Sequence, residues 1–131
     1  MKQQNVRTNT HIEFKDITDW VRKEVRESGV KEGICVVFVP HTTAGVTINE
    51  NADPAVVGDI ITHTSKLISE RERYQHMEGN SPAHIKASLF GFSQSIIING
   101  GDLVLGTWQG IYFCEFDGPR TRNVYLQIVP A

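Results

Sequence analysis

The sequence predicts an α+β fold: one compact, β-rich domain over residues 1–131, with mixed or antiparallel sheets in a sandwich-like arrangement, two main helices and one short helix. Short β-branched apolar runs bounded by Gly, Pro, Asn and Asp recur along the chain. Separate segments carry apolar residues at helical spacing. The strand signals then follow one another at the C-terminal end instead of alternating with helices, which points to antiparallel sheets with the helices grouped between them.

Residues Gln3–Phe14 read as extended, with His11, Ile12, Glu13 and Phe14 alternating polar and apolar. Asp16 and Thr18 offer capping oxygens, Ile17, Val21 and Val25 follow at helical spacing, and Gly29 stands just past the end, so a helix is expected over Ile17–Ser28. Gly33–Val39 is a continuous apolar run stopped by Pro40 and reads as a central strand. Val46 and Ile48 mark the next strand. Asp53-Pro54 then opens a longer helix whose apolar face runs from Val56 to Ile68. Ser69–Pro82 is polar and aperiodic. Ser81-Pro82 repeats the cap-then-proline signal for a short helix over Ala83–Leu89. The remainder, Gln94–Ile98, Leu103–Leu105, Thr107–Phe116 and Thr121–Val129, reads as a β-meander punctuated by Asn99-Gly100-Gly101-Asp102 and Asp117-Gly118-Pro119.

Composition narrows the function classes. Hydrophobic residues make up 40% and charged residues 21%, as in an ordinary globular protein. A net charge of −2 gives no electrostatic reason to expect a nucleic acid or an anionic membrane as partner. The first residues lack the apolar core of a signal peptide, so a cytoplasmic location is expected. Cys35 and Cys114 both lie in apolar strand-like runs and read as reduced, buried and non-catalytic. Walker, GxGxxG, HExxH, CxxC and GxSxG motifs are absent.

The candidate chemistry lies in loops and element ends. His11 and His63 read as surface residues. His41 begins a loop at a strand end, His76 lies in the long polar stretch, and His84 is in the first turn of the short helix, where the positive helix end favours a neutral imidazole. These three could converge on a divalent metal, zinc or magnesium, or be ordinary loop histidines. Glu50 and Asp53 flank a helix start, Asp53 as a cap and either as a base or cation ligand. Glu115, in an apolar run, is either on an open face or buried and paired. Asn80, Ser81 and the helix they open, with Lys86 one turn on, form a candidate anion seat. Arg120 offers a planar fork for phosphate or carboxylate.

At Gly106-Thr107-Trp108-Gln109 the chain resembles the YjbQ family, also called secondary thiamine-phosphate synthase. Pro40-His41-Thr42-Thr43-Ala44 is similar to its HTTA loop, and Asn49-Glu50-Asn51-Ala52-Asp53-Pro54 to its NE-x-x-DP segment. Tyr74-Gln75-His76, Gly79-Asn80, Ala83-His84-Ile85-Lys86 and Glu115-Phe116-Asp117-Gly118-Pro119-Arg120 match further motifs in order. The resemblance implies a homotrimer and a cleft gathering these motifs. It also implies a weak ability to join a pyrimidine pyrophosphate and a thiazole phosphate, with the physiological substrate left open. Such a reaction needs anion seats, for which Ser81, Lys86 and Arg120 are suited, and a cation held by Glu50, Asp53 and the histidines. Trp108 suits ring stacking, with Thr42, Thr43, Asn80, Thr107 and Gln109 as further substrate contacts. The expected partner is a small phosphorylated molecule. The alternative is a non-catalytic trimeric module that binds a metal or ligand.

Overall fold

The computed structural model describes residues 1–131. In chain order the elements are β1 (Lys2–Arg7), β2 (Glu13–Asp16), α1 (Thr18–Ser28), β3 (Glu32–Phe38), β4 (Ala44–Glu50), α2 (Pro54–Leu67), α3 (Ser81–Phe90), β5 (Ser93–Asn99), β6 (Asp102–Leu103), β7 (Gln109–Glu115) and β8 (Thr121–Pro130). The strands form a five-stranded sheet in the order β1-β8-β3-β5-β6 and a three-stranded sheet in the order β2-β7-β4. Every pairing is antiparallel, so the fold is α+β as expected.

Strand alternation explains the layering. Cys35 and Val37 of β3, Ile96 and Ile98 of β5, and Val124 and Leu126 of β8 point to the same side of the larger sheet. They meet Ala44 and Val46 of β4, Ile111 and Phe113 of β7, and Val21 and Val25 of α1 in one cluster of 16 buried residues. The other face of β7 carries Tyr112, Cys114 and Phe116, which pack against Ala83 and Ala87 of α3. β7 is therefore buried on both faces. Its sequence reads as a near-continuous apolar run for that reason.

The C-terminal strands are not a meander. β5 and β6 form the expected hairpin through Ile98↔Leu103, but β7 crosses to the other sheet and β8 returns between β1 and β3. Asn99-Gly100-Gly101-Asp102 makes the expected hairpin turn, but Asp117-Gly118-Pro119 joins strands of different sheets, because turn chemistry alone does not say which sheet the next strand joins. The third helix is also longer than expected: α3 has 10 residues, beginning at Ser81. α1 begins at Thr18, because Asp16 spends its carboxylate on the Thr18 N–H and hydroxyl, leaving Ile17 as the cap. Gly29 ends that helix with φ 73°, as a residue without Cβ does readily. Asp53 caps α2 through the Ala55 N–H at 2.9 Å. No residue of α2 is fully buried, and Leu67 near its end is 70% exposed.

Both cysteines are buried and unpaired. Burial pushes the Cys35 thiol up to about 11 and the Cys114 thiol higher still, so neither supplies a thiolate near neutral pH. No helix is long and apolar enough to cross a membrane.

Candidate functional site

A cleft of about 480 Å³ opens where the β3–β4 loop, the segment before α3 and the β7–β8 turn meet. The first contributes His41, Thr42 and Thr43, the second His76, Glu78 and Asn80, and α3 adds His84. Arg120 and Arg122 complete it, and none of its lining residues is hydrophobic.

The floor is a buried ion pair. Glu115 is 0% exposed and Arg122 5%. Arg122 donates to Glu115 through Nε at 2.9 Å and through Nη2 to Oε2, and its Nη2 also donates to Thr43 Oγ1 at 2.9 Å. The Thr8 hydroxyl at 2.7 Å and the Asp117 N–H at 3.1 Å complete the donors around the carboxylate. Burial by itself would raise the Glu115 carboxyl, but these donors and the Arg122 charge outweigh it and hold the group below the ordinary range. The network thereby ties the histidine loop to β7 and β8.

Above the floor, Nε2 of His41 accepts the Asn123 N–H at 2.9 Å. Burial, then the Arg122 charge, lowers its pKa, so His41 is neutral with its proton on Nδ1. His76 and His84 stand ring edge to ring face, centroids 5.2 Å apart at 86°. Glu78 Oε2 lies 3.8 Å from His76 Nε2. Asn80 and Arg120 both donate to Asp117 Oδ2 at 3.0 Å, and Arg120 Nε donates to the Asp117 carbonyl at 2.8 Å. Burial opposes ionisation of Asp117, but Asn80 and Arg120 prevail and its pKa is lowered. Arg120 is half-exposed and keeps donors free for a ligand.

The chain therefore brings together His41, His76, His84, Thr42, Thr43, Asn80 and Arg120. Ser81 opens α3 beside Asn80 but does not line the cleft. Lys86 is not an anion seat here: it is 1% exposed, with Nζ donating to Ser65 Oγ at 3.2 Å. Glu50, Asp53, Thr107, Trp108 and Gln109 lie at the opposite end of the smaller sheet. The seven-residue β4 separates them from the cleft by about 20 Å at about 3.3 Å per residue. There Asp53 is a helix cap, Gln109 Oε1 accepts the Gly106 N–H at 2.8 Å, and Trp108 is 62% exposed, not a core anchor.

Sequence reasoning passed over Arg122, although a signal was present. Arg122, Val124 and Leu126 alternate on one face of β8, so a charge stands on the inward side and calls for a buried partner. Glu115 is that partner. The three histidines share a cleft, although no three His, Cys, Asp or Glu side chains stand close enough together in it to hold an ion as they are placed. The His41 Nε2 lone pair is already taken by Asn123, which leaves His76 and His84 as the pair with ring nitrogens open to a cation.

Comparison with known proteins identifies the family and the fold. The family model described as UPF0047 protein YjbQ-like matches residues 2–131. A UPF0047 protein of Methanocaldococcus jannaschii is 56% identical over 124 residues, covering 95% of this chain and 90% of that protein. The UPF0047 protein YugU of Bacillus subtilis is 48% identical over 130 residues, covering 98% of each. A crystal structure of an uncharacterized YjbQ/UPF0047 family protein from Clostridium acetobutylicum is 56% identical, with TM-score 0.97 over 98% of this chain and 100% of that one. A YbjQ-like protein of unknown function from Sulfolobus solfataricus is 34% identical, with TM-score 0.96 over 99% of this chain and 96% of that one. With the family model matching all but the first residue and relatives covered almost end to end, the chain belongs to the UPF0047 YjbQ-like family.

Proposed function

We propose that the cleft binds the phosphate end of a small molecule and promotes departure of an anionic group. One observation carries this reading: Arg120, the Nδ1–H of His41 and the His76–His84 pair converge on a cleft whose lining is polar apart from Pro40. Of the neighbouring carboxylates, Glu115 is paired with Arg122 and Asp117 with Arg120, with Asn80 also donating to Asp117, while Glu78 is exposed at the rim beside His76. Arg120 would clamp phosphate oxygens with its fork, neutral His41 would donate to one of them, and His76 or His84 would deliver a proton to the leaving oxygen. Joining a pyrimidine pyrophosphate to a thiazole phosphate is one such reaction, since pyrophosphate leaves as the new carbon–nitrogen bond forms. A divalent cation belongs to this proposal as zinc on the imidazole pair or magnesium carried in by the phosphates.

Calorimetric titration with inorganic pyrophosphate tests the reading. Loss of a charged hydrogen-bond donor costs about 1.5–3 kcal/mol, so Arg120→Ala should bind at least about tenfold more weakly. His63→Ala, on an exposed face of α2, should bind like the parent. Absence of pyrophosphate binding by the parent, or parental affinity in Arg120→Ala, would overturn it. Binding without turnover of any phosphorylated compound would favour the non-catalytic module, for which the adjacent His76 and His84 rings are the supporting observation.

Homotrimeric assembly is also part of the proposal. Ile34, Ile97 and Val129 are neighbours in register on the outer face of the larger sheet, 41%, 59% and 43% exposed. Such a patch suits contact between copies of the chain. Sedimentation equilibrium should return three chain masses, and Ile97→Lys should shift the distribution toward monomer. A monomeric parent would remove assembly from the proposal.

A further inference from the structure

The β5–β6 hairpin tip carries a reactive arrangement of its own, at the end of the molecule away from the histidine cleft. Asn99 ends β5 and Gly100-Gly101 make the turn, with φ 61° and 79°. Asn99-Gly100 is the chain's one Asn-Gly pair. In such a pair the glycine nitrogen can attack the asparagine side-chain amide, because no glycine side chain stands in the way. Here Asn99 and Gly100 are both exposed, and no hydrogen bond holds the Asn99 amide. Nothing lies within 4 Å of where a Cβ on Gly100 would stand, so the approach is open.

The attacking nitrogen has a base beside it. The Gly100 N–H takes no part in the strand ladder, and its acceptor is the carboxylate of Glu32, with Oε1 at 3.3 Å. The proton therefore already points at the group that can remove it. Lys31, Glu32, Asn99 and Gly100 are all exposed and form a polar tip beyond the apolar patch of Ile34, Ile97 and Val129. Contact between copies through that patch leaves such a rim in water.

We infer that Asn99 is a self-modification site, where Gly100 closes an imide ring on the Asn99 side chain and water opens it to aspartate or isoaspartate. The Gly100 proton passes to Glu32 as the nitrogen bonds to Asn99 Cγ. The Cγ–Nδ2 bond then breaks, and ammonia leaves with the proton returned by Glu32. Water opens the imide at Cγ to give aspartate, or at the main-chain carbonyl to give isoaspartate, in which the main chain runs through Cγ. Ring closure requires the Asn99 backbone to leave the extended form, and at a hairpin tip that opening is local. Asn99 pairs with Glu32 on β3 and with Asp102 on β6, so the product sets a carboxylate between two others. Like charges across strands loosen this edge of the larger sheet.

The test holds the full chain at neutral pH and maps its peptides by mass spectrometry, with a synthetic Ser95–Leu105 peptide as the free reference. Asn99 should convert to both products, with release of ammonia, at a rate within about 10-fold of the free peptide, since tips open at little cost. Glu32→Gln changes only an exposed side chain and should slow conversion at least about 10-fold, less than the usual effect of a general base because hydroxide also takes the proton. Asp117-Gly118 is the internal contrast, since it can close the same ring. Its Gly118 N–H is bonded to the His11 carbonyl at 2.9 Å, and Asp117 Oδ2 accepts from Asn80 and Arg120 at 3.0 Å. It should stay unchanged over the same period. Slower conversion of Asn99 than stated, parental conversion in Glu32→Gln, or isomerisation of Asp117 as fast as that of Asn99 would each overturn the inference.

Discussion

Replacing Glu115 by alanine is expected to lower the unfolding free energy by about 3–5 kcal/mol, the cost of leaving a buried charge without its partner. Arg122 is only 5% exposed and would keep Thr43 as its remaining side-chain acceptor. Thr8 would also lose the carboxylate its hydroxyl serves at 2.7 Å. Urea unfolding measures the loss, and a change below about 1 kcal/mol would show that the pair is dispensable. The effect has a pH signature. Glu115 titrates lower in the folded chain than in the unfolded one. Its contribution is therefore present above the unfolded value of about 4.3 and disappears as pH falls through the folded value. The parent and Glu115→Ala curves should accordingly converge in acid. The double variant Glu115→Met/Arg122→Leu replaces both charges by apolar groups of similar size, which is often close to neutral for stability. It should unfold nearly like the parent yet bind pyrophosphate poorly, because the Arg122–Thr43 bonds are gone and only the His41–Asn123 bond then ties that loop to β8. Stability and site geometry depend on the same four residues, and the double variant separates the two roles.

How much of this was legible in the sequence depends on the range of the interaction. Gly29, Asp53-Pro54 and Gly100-Gly101 act on their immediate neighbours, so the helix end, the helix start and the hairpin they announce are where they were expected. The partition of strands between sheets is a long-range matter. Nothing local distinguishes β7, which joins β2 and β4, from β8, which joins β1 and β3. The site divides in the same way. His41, His84, Asn80 and Arg120 sit at strand ends or a helix start, where groups point outward from a rigid frame, His76 lies in the loop leading to α3, and they do converge. Lys86 looked like a solvated anion seat because α3 has almost no amphipathic pattern to reveal which side faces inward; it points into the protein. Glu50 and Trp108 are carried away from the cleft by the direction of β4 and β7, which motif order along the chain does not disclose.

The second large effect is expected at Gly118, through space rather than charge. A Cβ there would overlap the Thr10 carbonyl oxygen and stand 2.8 Å from both Glu115 Cγ and Thr8 Oγ1. None of these can retreat cheaply. The Gly118 N–H is bonded to the His11 carbonyl at 2.9 Å, and Thr8 and Glu115 belong to the buried network. Forcing a methyl into such a site costs about 1–3 kcal/mol or more, and Gly118→Ala is placed at the upper end of that range. Gly110 supplies the comparison. Its Cβ would overlap the side chain of Asn51, whose amide can swing away from its bond to Asp16 at 3.1 Å but whose Cβ, 2.8 Å away, moves only with an exposed backbone held by the Asn51 N–H to the Trp108 carbonyl at 3.0 Å. Gly110→Ala should therefore cost about 2 kcal/mol, within the same range but below Gly118→Ala, because the Asn51 segment is exposed and outside the buried network. The two substitutions should also differ in function. Gly118 lies between Asp117 and Arg120, so displacing it moves the fork that Asp117 holds at 3.0 Å. Pyrophosphate affinity should fall about tenfold in Gly118→Ala, as when one charged hydrogen bond is lost, and stay unchanged in Gly110→Ala. Thermal unfolding and titration calorimetry on the two variants read both effects. Equal stability losses would mean that the β7–β8 turn yields more readily than its contacts allow. Parental affinity in Gly118→Ala would mean that Arg120 reaches its ligand without Asp117 to hold it.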